Sequence, residues 1–335
     1  FSNIKEIFIP SKVSKICKSA FGFCNLSKVE IAPNPILQTI GSNLFSGTNI
    51  KEIFIPSTVS KISKYAFNIC HNLTTVEFEE NSNLQIIGER AFSGTKIKEI
   101  FIPSKVSKIC QDAFYLCQNL KKVEIAPDSN LQTIESYTFY GTKIEEYFIP
   151  SKVSIIRENA FSDCENLTKV DIPSNSNLQT IESDAFSNTN IKEIYLPTSL
   201  KELKEGWCND IKSLTKIIIS PSNGQFKFID DKYLIGKSDP NKDEFDTLLF
   251  ASRDIKEISI PSNFKIISPY AFDNCINLSK VEFEANSNLQ IIGSYAFSST
   301  NIKEIFIPSK VSIICEHAFS ECQNLTTVEY EANSN

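Results

Sequence analysis

The stretch IKEIFIPSKVSKIC occupies residues 4–17 and recurs letter for letter at residues 97–110. It returns at residues 302–315 with a single change, where Ile313 replaces the lysine of the first two copies. A segment copied this closely indicates either one structural unit that stacks on itself or a site that is duplicated for avidity. Self-similarity at a fixed period is typical of repeat proteins, so the period decides the fold class.

The copies belong to a repeat of about 23 residues that runs through the whole chain. Successive units begin at Ile4, Leu26, Ile50, Leu73, Ile97, Leu120, Ile144, Leu167, Ile191, Leu214, Ile255, Leu278, Ile302 and Leu325. Odd and even units differ, and the pair recurs every 47 residues, as from Ile50 to Ile97 and from Ile97 to Ile144. The rhythm is clearly broken once, where Leu214 and Leu278 lie 64 residues apart. The pattern predicts about fourteen stacked units that form one domain over residues 1–335.

Each unit opens with the pattern of a short strand. Alternation in the unit that begins at residue 97 points Ile100 and Ile102 inward, and Pro103 then ends the strand because proline cannot donate to a ladder. The following Ala113 and Phe114 suit a return path that contains a short helical or 3-10 turn. A unit of this size cannot bury its apolar face alone, so we expect stacked neighbours to cover it.

The longer unit carries its extra 17 residues within residues 228–252. Two apolar runs, residues 233–235 and 247–250, flank a segment rich in Pro, Asp and Lys. This arrangement predicts a β-hairpin inserted on the return side of the stack. We expect the hairpin to cover the edge of a neighbouring unit.

The units resemble the BspA-like leucine-rich repeats, in which Leu-x-x-Val-x-Ile and a proline turn precede Ile-x-x-x-Ala-Phe and a cysteine. The resemblance extends over essentially all fourteen units. It implies a leucine-rich repeat solenoid, mostly β, that forms a curved right-handed superhelix. In that fold a parallel β-sheet lines the concave face and short helical or 3-10 turns lie on the convex side. It also implies a cell-surface or secreted protein of the type found in anaerobic oral bacteria and protozoan parasites, associated with attachment to host proteins and cells.

Outward-pointing residues of successive strands should form columns along the sheet. The first column alternates Glu with Lys, beginning at Glu6 and Lys28 and ending at Glu304 and Thr327. Strands in a sheet lie about 4.8 Å apart, so we expect opposite charges on adjacent strands to neutralise one another.

The next column alternates aromatic rings with carboxylates and supplies the candidate partner-binding residues. These are Phe8, Glu30, Phe54, Glu77, Phe101, Glu124, Phe148, Asp171, Tyr195 and Phe306. A row of exposed rings is more apolar surface than a monomer normally leaves uncovered, and the acids favour a partner that offers Lys or Arg. The alternative is that each ring only packs against its neighbours on the sheet. The pattern is interrupted at Ile218 and Ser259, which places a contiguous footprint on residues 8–195.

The ten cysteines fall mainly into two positions of the repeat. One position holds Cys24, Cys70, Cys117, Cys164, Cys275 and Cys322. It holds Ile211 in the remaining copy, which predicts small core hydrophobes, and copies about 9.5 Å apart are too distant for disulfides. The other position holds Cys17, Cys110 and Cys315 and elsewhere accepts Arg or Lys, which predicts free, accessible thiols.

Five Asn-Leu-Ser or Asn-Leu-Thr sequons are possible glycosylation sites: Asn25, Asn72, Asn166, Asn277 and Asn324. All five occupy one position of the repeat, where Asn119 stands without a sequon. A turn role for the asparagine is therefore the alternative explanation.

Composition excludes several classes of function. The net charge of −6 argues against nucleic acid, and no apolar run reaches the roughly 18 residues of a membrane span. With two histidines and no Cys-x-x-Cys, phosphate loop or nucleophile motif, we expect no metal site, no cofactor and no enzyme activity. The chain contains no methionine and starts and stops inside a repeat, so we expect a fragment of a longer protein.

Two functions are considered. The first is a non-enzymatic protein-binding domain, and the resemblance implies an adhesin ectodomain whose partner is a host surface or matrix protein, with a second copy of itself as a further possible partner. The second is an intracellular scaffold for protein–protein interaction, because free thiols suit a reducing compartment.

Overall fold

The computed structural model describes residues 2–331. These residues form β-strands joined by turns. They contain no helix, and therefore no helix long and apolar enough to cross a membrane. The chain divides into two compact units, Phe1–Thr189 and Asn190–Asn335, called here the N-terminal unit and the C-terminal unit. Each is a mostly-β solenoid of stacked turns, with about fourteen turns in all. The predicted repeat count and the predominance of strands are confirmed.

In the N-terminal unit, from β2 onward, a strand of three or four residues alternates with a strand of two residues. The strands are β1 (Glu6–Ile9), β2 (Lys28–Ile31), β3 (Thr39–Ile40), β4 (Glu52–Ile55), β5 (Lys61–Ile62), β6 (Thr75–Phe78), β7 (Ile86–Ile87), β8 (Glu99–Ile102), β9 (Lys108–Ile109), β10 (Lys122–Ile125), β11 (Thr133–Ile134), β12 (Glu146–Phe148), β13 (Ile155–Ile156), β14 (Lys169–Asp171) and β15 (Thr180–Ile181).

The C-terminal unit repeats this alternation and adds three strands at the insertion. Its strands are β16 (Glu193–Leu196), β17 (Glu202–Leu203), β18 (Lys216–Ile219), β19 (Lys227–Ile229), β20 (Tyr233–Gly236), β21 (Thr247–Ala251), β22 (Glu257–Ile260), β23 (Ile266–Ile267), β24 (Lys280–Phe283), β25 (Ile291–Ile292), β26 (Glu304–Ile307), β27 (Ile313–Ile314) and β28 (Thr327–Tyr330).

The longer strands, one at the start of each turn, pair in parallel as two-stranded sheets. The pairs are β1 with β2, β4 with β6, β8 with β10 and β12 with β14 in the N-terminal unit, then β16 with β18, β22 with β24 and β26 with β28 in the C-terminal unit. Residues one repeat apart lie side by side, as Ile100 beside Val123. Alternate residues are buried, and a proline follows many of these strands, as Pro56 follows β4.

The two-residue strands form a second parallel ladder in the return segments. In the N-terminal unit β3, β5, β7, β9, β11, β13 and β15 lie in that order, and Ile62 pairs with both Ile40 and Ile87. These strands and the turns after them occupy the place where short helical or 3-10 turns are predicted, and no helix is found there in the described residues.

The turn around each Ala-Phe pair is held by backbone hydrogen bonds to the next turn. The amides of Tyr65, Phe67 and Ile69 donate to carbonyls 24 residues later, each at 2.8 Å. Tyr65 and Ile69 have φ of 59° and 52°, and the equivalent positions of most other turns are also left-handed. A left-handed backbone is unfavourable for a side chain as bulky as isoleucine, so the inter-turn bonds compensate for that strain.

The phenylalanines of these turns stack into a continuous ladder inside the N-terminal unit. Its rings are Phe21, Phe45, Phe67, Phe92, Phe114, Phe139, Phe161 and Phe186, with successive centroids 5.2–6.0 Å apart. A shorter ladder of Phe272, Phe297 and Phe319 lies in the C-terminal unit. Offset stacking of parallel rings adds to the free energy gained by burying them.

Tyr147 takes the place of an inward isoleucine in β12 and contacts the rings of Phe139 and Phe161. Its hydroxyl is fully buried without a hydrogen-bond partner among the described residues, and burial raises its pKa well above the usual value. An unsatisfied buried hydroxyl costs about 1–3 kcal/mol. We therefore expect Tyr147→Phe to raise the free energy of unfolding by about 1 kcal/mol or more. Urea denaturation measures the change, and a lower midpoint would contradict this assignment.

The insertion consists of antiparallel strands attached to the return ladder of the C-terminal unit. β20 pairs antiparallel with both β19 and β21, and β21 also pairs in parallel with β23 of the return ladder. Within the loop between β20 and β21, the buried carboxylate of Asp246 accepts hydrogen bonds from the Ser238 amide at 2.8 Å and the Ser238 hydroxyl at 2.7 Å. Asp246 also pairs with Lys265 at 3.1 Å.

Candidate protein-binding face

The outward side chains of the longer strands form a ring–carboxylate row in the N-terminal unit. The row consists of Phe8, Glu30, Phe54, Glu77, Phe101, Glu124, Phe148 and Asp171. The four phenylalanine side chains are 46–59% exposed, although their inward neighbours on the same strands are mostly buried. Backbone alternation alone produces this division, because successive residues of a strand point to opposite faces.

Strand register places each ring of the row beside a carboxylate. Phe8 pairs with Glu30, Phe54 with Glu77, Phe101 with Glu124 and Phe148 with Asp171. Glu77 also lines a shallow hollow of about 390 Å³ together with Phe101 of the following sheet. The predicted neighbour relation between rings and carboxylates is therefore confirmed. That these residues bind a partner remains a prediction.

The same column is less regular in the C-terminal unit. Tyr195 is only half-exposed and lies beside Ile218, which is 41% exposed. Ser259 lies beside Glu282, and Phe306, 51% exposed, lies beside Glu329. The predicted interruption of the aromatic pattern thus coincides with the strands on either side of the insertion.

The lysines of the first column pair mainly along their own strands, whereas pairing across strands was expected. The pairs within a strand are Lys28–Glu30, Lys122–Glu124, Lys169–Asp171 and Lys280–Glu282. Across strands in these columns, Lys216 lies 3.3 Å from Glu193, and β18 carries Ile218 in place of the acid. Residues i and i+2 share a strand face, so a lysine can reach the carboxylate of its own strand.

β6 departs from this pattern because Thr75 stands where most equivalent strands carry lysine, and Thr327 of β28 is the other exception. Among the described residues, Glu77 has no ion-pair partner within 4 Å. Thr75 lies beside Glu52 of β4. Glu99 of β8 lines the same hollow as Thr75 and Glu77. Carboxylates of three neighbouring strands therefore flank Thr75, and Lys98 and Lys122 line the same hollow as Glu77 and Glu99.

The main cysteine position is not purely apolar, because its buried thiols are hydrogen-bonded. Cys117 donates to the Phe92 carbonyl at 3.1 Å and lies 3.3 Å from the Thr95 hydroxyl. The same bonds recur at Cys70, Cys164 and Cys322. Burial raises the pKa of Cys117 to about 11 and that of Cys164 to about 12. Cys117 and Cys164 therefore stay protonated at neutral pH. The hydrogen-bonded thiols at this position are structural parts of the turn, a role that sequence reasoning missed.

All ten cysteines are free, including the three of the second position. Cys17 is exposed, whereas Cys110 and Cys315 are only partly exposed. Burial also raises the pKa of Cys110. The prediction of accessible thiols therefore agrees with the exposed Cys17, whereas Cys110 is more buried than predicted.

The asparagines of the five sequons are all exposed. The Ser or Thr of each sequon donates a hydrogen bond to a carbonyl of the preceding turn, as Thr74 to Lys51 at 3.2 Å and Ser27 to Lys5 at 3.0 Å. Two of these asparagines also bond to Asn49, which lies outside the sequons: Asn49 donates to Asn25, and Asn72 donates to Asn49. These bonds give each sequon a structural reason to recur, while glycosylation remains a prediction.

The histidines show no metal-binding arrangement. His71 Nδ1 lies 3.1 Å from the Gly94 carbonyl, and His317 stacks on Tyr295. Residues 2–331 contain no group of three or more metal-ligating side chains.

Comparison with known proteins identifies the repeat. The model of the BspA type leucine-rich repeat region matches residues 1–121, 85–215 and 244–335, with six copies. A leucine-rich repeat protein from Bacteroides ovatus has a similar structure, with 23% identity, a TM-score of 0.65 and coverage of 99% of this chain and 82% of that one. A leucine rich cell surface protein from Faecalibacterium prausnitzii shows 22% identity, a TM-score of 0.55 and coverage of 99% and 89%. No curated protein matches. The chain belongs to the BspA-type leucine-rich repeat family.

Proposed function

We propose that this chain is a non-enzymatic protein-binding domain and that it serves as a cell-surface adhesin. The partner is a host surface or matrix protein, bound through the ring–carboxylate row. The observation that carries the proposal is the exposure of four phenylalanine side chains on one strand face. Aromatic side chains that face solvent in a regular line suit the anchors of a protein interface better than they suit a solvated surface.

The test compares two triple variants of the full chain in adhesion to cultured epithelial cells and to wells coated with matrix proteins. Changing Phe54, Phe101 and Phe148 to Ala removes the central rings of the row. We expect adhesion to fall at least tenfold, since interface anchors contribute about 2 kcal/mol or more each.

The matched control changes Phe23, Ile36 and Leu116 to Ala, because these apolar side chains are exposed outside the longer strands. It should adhere as the natural sequence does. Equal adhesion of the row variant, with an unchanged unfolding midpoint, would move the site away from the row.

The alternative is an intracellular scaffold for protein–protein interaction. The ten free cysteines favour it, because such thiols persist most readily in a reducing compartment. Localisation of the tagged full-length gene product distinguishes the two, with surface labelling expected for the adhesin.

A further inference from the structure

The chain contains its own examples of how the ring–carboxylate row holds an ammonium group. In β14 the Lys169 Nζ lies 2.8 Å from an Asp171 carboxylate oxygen, and in β24 the Lys280 Nζ lies 2.6 Å from Glu282. The pKa of Lys28 is raised, first by its hydrogen bond to Glu30 and then by the charge of Glu30, with smaller contributions from Glu6 and Glu52. An ammonium on this face therefore has one bonded carboxylate and further carboxylates on the flanking strands.

β6 retains the acids of that arrangement but lacks the cation. Thr75 cannot supply a positive charge, and Glu77 has no ion-pair partner within 4 Å among the described residues. Glu52 is on the strand paired with β6, and Glu99 is across the hollow. Phe54 and Phe101, 48% and 49% exposed, lie on the two sides of Glu77.

The chemistry of this surface fits a lysine side chain better than a small cation. The carboxylates complement one positive charge, and the two rings offer apolar surface for the methylene stem and cation–π contact for the ammonium. Each equivalent cation within the chain is a lysine, so the position beside the carboxylate on the strand face already accommodates that side chain.

We propose that β6 takes up a lysine side chain from an extended segment of a partner protein, whose ammonium replaces the lysine that Thr75 lacks. This inference rests on the proposed function and names the chemistry that the partner presents. The occupied position is bounded by Glu77, Glu52 and Glu99 and flanked by Phe54 and Phe101.

The experiment uses a fluorescein-labelled hexapeptide with valine–lysine–valine at its centre and serine elsewhere. The comparison peptide contains acetyl-lysine, which keeps the stem and removes the charge. Fluorescence anisotropy is measured at low salt, because screening weakens exposed ion pairs. Every protein carries Thr327→Lys, so that Glu329, which has the same sequence pattern in β28, is paired within its own strand.

Against this background the lysine peptide should bind at least tenfold more tightly than the acetyl-lysine peptide. Thr75→Lys fills the position from within the chain, and Glu77→Gln removes its central charge. Each should lower the affinity for the lysine peptide at least tenfold. Ser107→Lys makes the same charge change on an exposed residue outside the longer strands and should leave the affinity within twofold.

Lys122→Thr provides a gain-of-binding test, because it frees Glu124 and should add one binding site per chain. If the protein with Thr75 and the Thr75→Lys variant bound the lysine peptide with equal affinity, the inference would be overturned. If the phenylalanine triple variant loses adhesion while Thr75→Lys does not affect peptide binding, the binding face stands and the lysine site fails. If Thr75→Lys abolishes peptide binding while the triple variant still adheres, the lysine site stands and the adhesive face lies elsewhere.

Discussion

Phe114→Ala is expected to lower the free energy of unfolding of the N-terminal unit by about 3–5 kcal/mol. The ring is fully buried and stacks on Phe92 at 5.5 Å and on Phe139 at 5.6 Å. Removing it loses the transfer free energy of the ring, leaves a cavity and separates two halves of the ladder. Because each turn contacts mainly its neighbours, the loss should concentrate in adjacent turns.

Urea denaturation followed by circular dichroism measures the total loss, and amide hydrogen exchange measures its distribution. Protection should fall most at the amides of Phe92 and Phe114, which bond to the following turns. Phe101→Ala is the matched control, because the same side chain is removed from an exposed position and should cost less than about 1 kcal/mol. Similar losses in the two variants would contradict the role assigned to the ladder.

Arg253→Ala is expected to destabilise the C-terminal unit by about 3–5 kcal/mol, because it removes a buried, hydrogen-bonded cation and leaves the buried Ile211 carbonyl without its donor. Arg253 is 3% exposed. Its Nε donates to the Ile211 carbonyl at 3.0 Å and its Nη1 to the Ala271 carbonyl at 3.1 Å. The guanidinium also lies over the Phe250 ring at 4.5 Å.

The position of Arg253 in the repeat accounts for its contacts on both sides of the insertion. It occupies the repeat position that holds threonine in Thr48, Thr95 and Thr300, and its Nη1 lies 3.5 Å from Cys275 as those hydroxyls lie near their own cysteines. The longer side chain reaches the Ile211 carbonyl before the insertion and the Ala271 carbonyl after it.

The control for Arg253→Ala is Lys216→Ala, which removes an exposed cation paired with Glu193 and should cost less than about 1 kcal/mol. Thermal unfolding of both variants gives the comparison. An Arg253→Ala midpoint equal to that of Lys216→Ala would contradict the role assigned to Arg253 and show that the Ile211 carbonyl finds another donor.

Repeat spacing predicts which residues lie side by side because the longer strands of each two-stranded sheet are one unit apart in register. Phe54 beside Glu77 and Phe101 beside Glu124 follow from counting alone. The direction of the ion pairs was missed, since a lysine that can reach either a neighbouring strand or its own i+2 carboxylate gives the same sequence pattern. The replacement of lysine by Thr75 is visible in the sequence. Its effect on Glu77 becomes clear only from the lysine–carboxylate pairs within the equivalent strands.

The return segments were harder to predict for a different reason. A strand of two residues has no detectable alternation, and it exists only because the adjacent turns supply its partners. The left-handed turn residues include Tyr65 and Ile69, which carry none of the Gly or Asn signature that marks such backbone in sequence. Likewise, the hydrogen bond of Cys117 to Phe92 depends on residues 25 positions apart.

The hydrogen bonds between turns have a consequence for how the length of this protein can vary. In the N-terminal unit they connect residues 21–26 positions apart, so every turn presents nearly the same donors and acceptors to the turn after it. Excising residues 97–143, one complete pair, would bring together surfaces whose bonding patterns already match. Recombination between the near-identical segments could thus shorten or lengthen the molecule by whole pairs, with each product inheriting an intact junction.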